Sequence, residues 1–371
     1  MAVRQCGWRV WSVGAGALSA ACAVGAEPSP ESSSVTLYGV VDLSMAGVST
    51  PDRGTSLSMQ SGVQSGSRWG LRGTEDLGNG LRANFQLESG VAANNGKSAQ
   101  GGRLFGRAAW AGVSGAWGEL RLGRQTSVSS ATLADYDAFL ASYLNLGAQT
   151  ALLPFNANRG DNTVAFWSRS AGGWRAGAGV SLDYDGGGGF HTSSNNKLYS
   201  AALIYEQPAY AVTLTYEGAR WADGTAQSAA MAQAGGAQQP DAYTLAGRAT
   251  LGAFTLYAAG SVMRHGSTIP SVPSPGQRAY FPGSTVHGLM AGATWRIGAG
   301  TIMASWQASL PGGGGLARQG ATHTQQTYSA GYAFDLSRRT NLYAVYGYLR
   351  GAWADPSWHE SQYAIGIRHR Y

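Results

Sequence analysis

Ser361-Gln362-Tyr363-Ala364-Ile365-Gly366-Ile367-Arg368-His369-Arg370-Tyr371 alternates almost cleanly, with Tyr363, Ile365, Ile367 and Tyr371 on one side and Ala364, Gly366, Arg368 and Arg370 on the other. His369 is the one interruption. Successive side chains of a strand point to opposite faces, so this is a ribbon with one apolar and one polar face. A strand that stops on an aromatic, with no polar tail behind it, suits a barrel closing in a membrane better than a soluble sandwich.

The period of two recurs upstream. Val35, Leu37, Gly39, Val41 and Leu43 oppose Thr36, Tyr38, Asp42 and Ser44, and Leu81, Ala83, Phe85 and Leu87 oppose Arg82, Asn84, Gln86 and Glu88. Trp174, Ala176, Ala178 and Val180 face away from Arg175, Gly177 and Ser181. Short connections of turn composition, such as Gln207-Pro208-Ala209, alternate with long ones rich in Gly, Ser, Ala and Pro, including 185–196, 218–240, 265–282 and 311–323. About sixteen such segments can be counted, and the alternation predicts an all-β, up-and-down antiparallel barrel with tight turns at one rim and long loops at the other. The stretch 126–158 is longer than the rest and carries a partly helical pattern over Leu133 to Leu146. Folded into a barrel, it would narrow the lumen.

At the start of the chain, Arg4 and Arg9 precede an uncharged run, Val10 to Val24, and the small residues Val24-Gly25-Ala26. This pattern predicts an export signal, residues 1–26, removed after Ala26. No later stretch approaches the roughly 18 to 20 apolar residues of a spanning helix. Both cysteines, Cys6 and Cys22, fall in the signal, so no disulfide, thiol nucleophile or cysteine-ligated metal is expected in residues 27–371, read as a single domain. Charged residues make up only 12 % of the chain, as expected when every second strand residue meets lipid. The net charge of +6 falls to +4 without the two signal arginines, and it is spread too thinly for a nucleic-acid surface. His191, His265, His287, His323, His359 and His369 show no pairing suited to a metal, and no serine lies in a nucleophile elbow. The glycines 186–189 lack the Lys and Ser/Thr of a phosphate loop. Neither a cofactor nor a catalytic site is expected.

Five segments in order carry a resemblance: Ser33 to Gly39, Ser67 to Leu81, Gly118 to Arg124, Arg159 to Thr163, and Ala364 to Tyr371. Together they resemble the Gram-negative general porins, in their betaproteobacterial and neisserial branch, over essentially the whole mature chain. The resemblance implies a homotrimer of transmembrane 16-stranded barrels in the outer membrane, in contact with lipid and lipopolysaccharide, each passing small hydrophilic solutes and ions. It also implies an inward-folded third extracellular loop, here 126–158 with Asp135 and Asp137 as its acids, facing a ladder of strand arginines that maps to Arg68, Arg107 and Arg159.

Alternation adds to the basic side. Arg68 and Arg72 lie opposite Trp69 and Leu71, Arg107 lies opposite Ala108 and Trp110, and Arg82 and Arg121 also fall on polar faces. Arg124 shares parity with Leu120 and Leu122, which places it at the rim or a subunit contact. Tyr38, Trp110, Trp174, Tyr199, Tyr205, Tyr210, Tyr216, Trp295, Tyr348 and Tyr371 fit interfacial girdles. The chain departs from its relatives in two places. The Pro-Glu-Phe-Gly-Gly motif of enterobacterial porins is absent, Pro154-Phe155-Asn156 being nearest, and Val40 stands where some relatives have lysine. With an acid lost and the arginines kept, the expectation is a weakly anion-preferring diffusion channel. The alternative is an outer-membrane adhesin or structural barrel with a plugged lumen.

Overall fold

The computed structural model describes residues 33–150, 159–186, 194–236, 238–266 and 280–371. The expected export signal, the sequence Pro154-Phe155-Asn156, His191 and parts of the long loops lie outside the described residues.

Sixteen antiparallel strands form one wall: β1 (Ser34–Thr50), β2 in two pieces (Gly54–Ser61 and Arg68–Gly78), β3 (Leu81–Ala92), β4 (Ala108–Gly115), β5 (Gly118–Thr126), β6 (Arg159–Ser168), β7 (Trp174–Ser181) and β8 (Lys197–Gln207), then β9 (Tyr210–Arg220), β10 (Asp241–Leu251), β11 (Phe254–Arg264), β12 (Thr285–Ile297), β13 (Gly300–Gly312), β14 (Gln325–Asp335), β15 (Thr340–Ala352) and β16 (Asp355–Arg370). A further two-residue rung, Lys97–Ser98, pairs with the end of β3. The last strand closes on the first, from Val40 opposite Arg370 to Ser49 opposite Ser361, and Gly39 and Tyr371 exchange two backbone hydrogen bonds of 3.2 Å. Pairing the two terminal strands removes the open edges that a flat sheet would present.

The barrel is inside out relative to a soluble protein. Val35, Leu37, Leu214, Leu245 and Ile365 are exposed on the outer surface, while Asp42, Thr213, Gln307, Thr327 and Gln362 are buried inside. Lipid is the solvent that makes this distribution favourable. Along the closing seam the ring of Tyr363 lies over Gly47 and that of Tyr371 over Gly39, where any Cβ would meet ring atoms at 2.2 Å.

The alternation of short and long connections fails at the two hairpins beside the seam. β1 turns into β2 through residues 51–53, and β15 into β16 through 353–354. Elsewhere the loop rim holds the longer segments, where α2 (Ala226–Gln233) and α3 (Gly314–Arg318) bury Met231 and Leu316 with Trp221, Phe281 and Trp353.

Between the two pieces of β2, six residues (62–67) stand opposite two of β1 (41 and 42). The excess turns inward. Its backbone is held by Asp42, which accepts a hydrogen bond from the Ser65 N–H at 2.6 Å and from the Tyr343 hydroxyl at 2.7 Å. Gln64 accepts from Asn341, and Asn341 from Arg368, both at 2.9 Å. This buried polar patch is a pedestal for the segment that follows β5.

Candidate functional site: a lumen crossed by an inward loop

After β5 the chain leaves the wall. Ser127 caps α1 (Val128–Leu133) by accepting the Ser130 N–H at 3.2 Å, so the helix begins and ends earlier than the Leu133 to Leu146 pattern suggests. A single 3-10 turn, Ala134–Tyr136, follows. Leu140, Ala141, Tyr143 and Leu144 then take positive φ and coil the chain into a compact knot. Left-handed backbone at non-glycine residues costs roughly 1–2 kcal/mol each, and the compensation is visible. Asp137 accepts the N–H groups of Phe139 (3.2 Å), Ala141 (2.9 Å) and Ala148 (2.7 Å).

The segment is fastened on both sides of the lumen. At its start the Ser127 hydroxyl donates to Glu217 on β9 (2.5 Å), and the Val128 N–H donates to Ser200 on β8 (3.0 Å). At its tip the Leu146 carbonyl accepts from Gln307 on β13 and Ser329 on β14, both at 2.9 Å, and the Asn145 N–H donates to Gln362 on β16 at 2.9 Å. The Tyr143 N–H donates to the Val63 carbonyl on the β2 pedestal (2.7 Å). Phe139, Tyr143 and Leu146 pack against Met303, Tyr343 and Val345 of the wall.

A cavity of roughly 510 Å³ remains between the inward segment and strands β3 to β10, reaching from Glu88 and Arg159 to the tight-turn rim at Gly173 and Glu206. Five arginines line it, Arg107, Arg121, Arg159, Arg175 and Arg248, against three carboxylates, Glu88, Asp135 and Glu206. Arg107 donates from Nε to Glu88 Oε1 at 2.7 Å, and Arg68 lies 3.4 Å from Glu88 Oε2 while also bonding Ser65 and the Gly66 carbonyl. Arg159 is within electrostatic reach of Arg107, Arg68 and Glu88. The three ladder positions therefore converge on one acid, a cross-strand partner that no spacing in the sequence announces. Arg121 pairs with Glu119 at 2.6 Å and stacks on Trp110, 4.4 Å from the ring centre.

The other expected positions are distributed differently. Arg72 stands four residues from Arg68, about 13 Å along the strand, over the ring of Tyr38. Arg82 faces Asp76 beside the tight turn after β2. Asp135 lines the cavity, and its pKa is raised, chiefly by burial, with Arg248 opposing the shift. Asp137 is a correction: at 0 % exposure it does not reach the lumen, because its carboxylate is consumed by the three backbone amides. Burial raises its pKa as well.

Parity or the girdle assignment misplaces Ala108, Trp110 and Tyr38. Ala108 and Trp110 stand opposite Glu88 and Gln86 in the β3–β4 ladder and face inward, so Trp110 belongs to the lumen and not to a girdle. Arg107 reaches the lumen because it precedes the first residue of β4, where alternation no longer applies. Tyr38, which parity does place on the polar face, points inward and so belongs to no girdle, donating to Glu88 at 2.8 Å. At Gly123 the β5–β6 register slips by one residue, and Arg124 turns to Asp161 at 2.5 Å, an acid that Arg103 also grips. Glu88, Arg175, Glu206 and Arg248, all on polar strand faces, are cavity-lining charges that the family motifs do not mark.

Among the described residues no group of three or more His, Cys, Asp or Glu could hold a metal. A polar, positively biased passage through a closed wall with an apolar exterior defines an integral membrane channel. Comparison with known proteins gives the family. A Gram-negative porin family model matches residues 12–352. An outer membrane porin protein of Bordetella pertussis is 34 % identical, covering 91 % of this chain and 94 % of that one, and outer membrane porin protein 32 of Delftia acidovorans is 36 % identical over 41 % of this chain and 44 % of its own. The fold is similar to that of an anion-selective porin from Comamonas acidovorans, with TM-score 0.70, 24 % identity, and coverage of 92 % and 100 %. It is also similar to the trimer form of OmpT from Vibrio cholerae, with TM-score 0.65, 14 % identity, and coverage of 92 % and 100 %. The chain belongs to the Gram-negative porin family and is a passive diffusion channel of the outer membrane.

Proposed function

We propose that this porin admits small hydrophilic solutes with a weak preference for anions, sieved by the inward segment and biased by Arg68, Arg107, Arg159 and Arg121. The observation that carries this reading is the lining of the cavity, where five arginines meet three carboxylates. In a water-filled constriction an excess of fixed positive charge raises the local concentration of anions. The name of the Comamonas structure, an anion-selective porin, points the same way. Arg72 and Arg82 act as outlying members of the basic side, and Asp135 is the acid opposite it.

The working unit is a homotrimer, by analogy with the trimer form of the Vibrio protein, seated among outer-membrane lipid and lipopolysaccharide after removal of residues 1–26. No catalytic role is assigned. Planar-bilayer recording of the folded protein under a salt gradient is the test. Stepwise conductance with an anion-side reversal potential is expected, and Arg107→Gln with Arg159→Gln moves that potential towards cations. A silent bilayer defeats the channel reading, and an unmoved potential defeats the role of these arginines.

A further inference from the structure

Beneath the inward segment three guanidinium groups lie over aromatic rings along one arc of the wall: Arg121 over Trp110 at 4.4 Å, Arg175 over Trp167 at 4.6 Å and Arg248 over Tyr136 at 5.7 Å. All six residues line the same cavity. From this arrangement we propose a subsite for planar aromatic carboxylates, centred on Arg175, at the periplasmic end of the passage. The inference rests on the channel reading and narrows it to a solute class.

Charge distribution picks out Arg175. Arg121 shares its charge with Glu119, and Arg248 with Glu206. Arg175 has no carboxylate partner among the described residues, and its side chain is exposed to the cavity. The ring beneath it is fixed. Trp167 is 8 % exposed and lies where a Cβ on Gly177 would meet it at 2.6 Å, with Val128 of the inward helix beside it. A guanidinium lying over a held indole can offer its other face and its N–H edge to a solute. The edge matches a carboxylate in bidentate fashion, and the face accepts a second aromatic plane. An inorganic anion uses only the edge. A saturated-ring carboxylate of equal charge cannot stack flat. The cavity, roughly 510 Å³, falls within the range of about 300–1,000 Å³ typical of small-molecule sites.

The experiment compares benzene-1,2-dicarboxylate with cyclohexane-1,2-dicarboxylate as blockers of the reconstituted channel in potassium chloride, added from either side. The aromatic acid is expected to reduce current at lower concentration, more readily from the periplasmic side. Arg175→Lys, which keeps the charge and loses the flat stack, weakens that block roughly two- to fivefold, the range of an exposed cation–π contact. Arg175→Gln removes block by both acids. Equal block by the two acids, or an aromatic preference that survives Arg175→Lys, overturns the subsite while leaving the porin reading intact. Calorimetric titration of the folded protein with the two acids reads the same preference without a current, so a silent channel still tests the site separately.

Discussion

Glu88 is held between Arg68 and Arg107 and receives the Tyr38 hydroxyl as well. It both neutralises part of the basic wall and keeps two mutually repelling guanidinium groups in place. Glu88→Gln removes one negative charge from the passage, and the anion-to-cation permeability ratio should rise by up to about fivefold at low salt, since a unit charge felt through roughly 8–10 Å of water shifts the anion and the cation about twofold each in opposite directions. Reversal potentials in a salt gradient measure it, and a shift towards cations would contradict the assignment. Asp135 gives a pH signature. Its pKa is raised, chiefly by burial, so its negative charge is lost on acidification above the ordinary aspartate range near 3.9. Anion preference should therefore grow as pH falls from 7 towards 4, and Asp135→Asn should flatten that dependence. At this scale the sequence was partly legible. Parity placed Arg68 and Arg121 inside, but it could not show that Asp137 is enclosed by its own loop, or that Arg175 and Arg248 join a cavity with residues far away in the chain.

At the scale of elements, alternation read the quoted stretches of β1, β3, β7 and β16 correctly because the strand is regular there. It failed where regularity stops, at the start of β4 and at the one-residue slip beside Gly123, and neither has a hydrophobic signature. The six-residue bulge in β2 was invisible for the same reason, although it supplies the carbonyl that secures Tyr143. The inward segment depends on a second such fit, since Leu146 occupies the space over Gly347, where a Cβ would meet its side chain at 2.7 Å. Gly347→Leu overfills that space at a cost of about 1–3 kcal/mol, which the knot absorbs by shifting while the wall persists. The expected outcome is a changed unitary conductance with more open-channel noise in a protein that still folds. A wild-type trace from folded Gly347→Leu would show that the contact is dispensable.

For the whole molecule, closure is the decisive event. The chain ends pair over ten residues of β1 and β16, so folding waits on partners separated by nearly the entire sequence, a slow and non-local step. Deleting Tyr363–Tyr371 removes most of that seam, and the truncated chain should fail to yield the compact, heat-modifiable species of a folded barrel on cold electrophoresis. Recovery of that species would mean that the last strand is not required for closure. The architecture was readable from the sequence because an inside-out barrel repeats one rule, oil outside and water inside, along every strand. The cavity obeys no such repeat, because its shape comes from a loop whose contacts cross the lumen.

That crossing has a mechanical consequence. An empty hoop of sixteen strands is compliant and would flatten towards an oval under lateral pressure, but here a tie-beam runs from Ser200 and Glu217 to Gln307, Ser329 and Gln362. With opposite sides of the hoop strapped to one beam, squeezing the bilayer or changing its thickness loads the strap before it deforms the aperture. Ion flow through this protein should then be nearly indifferent to membrane tension.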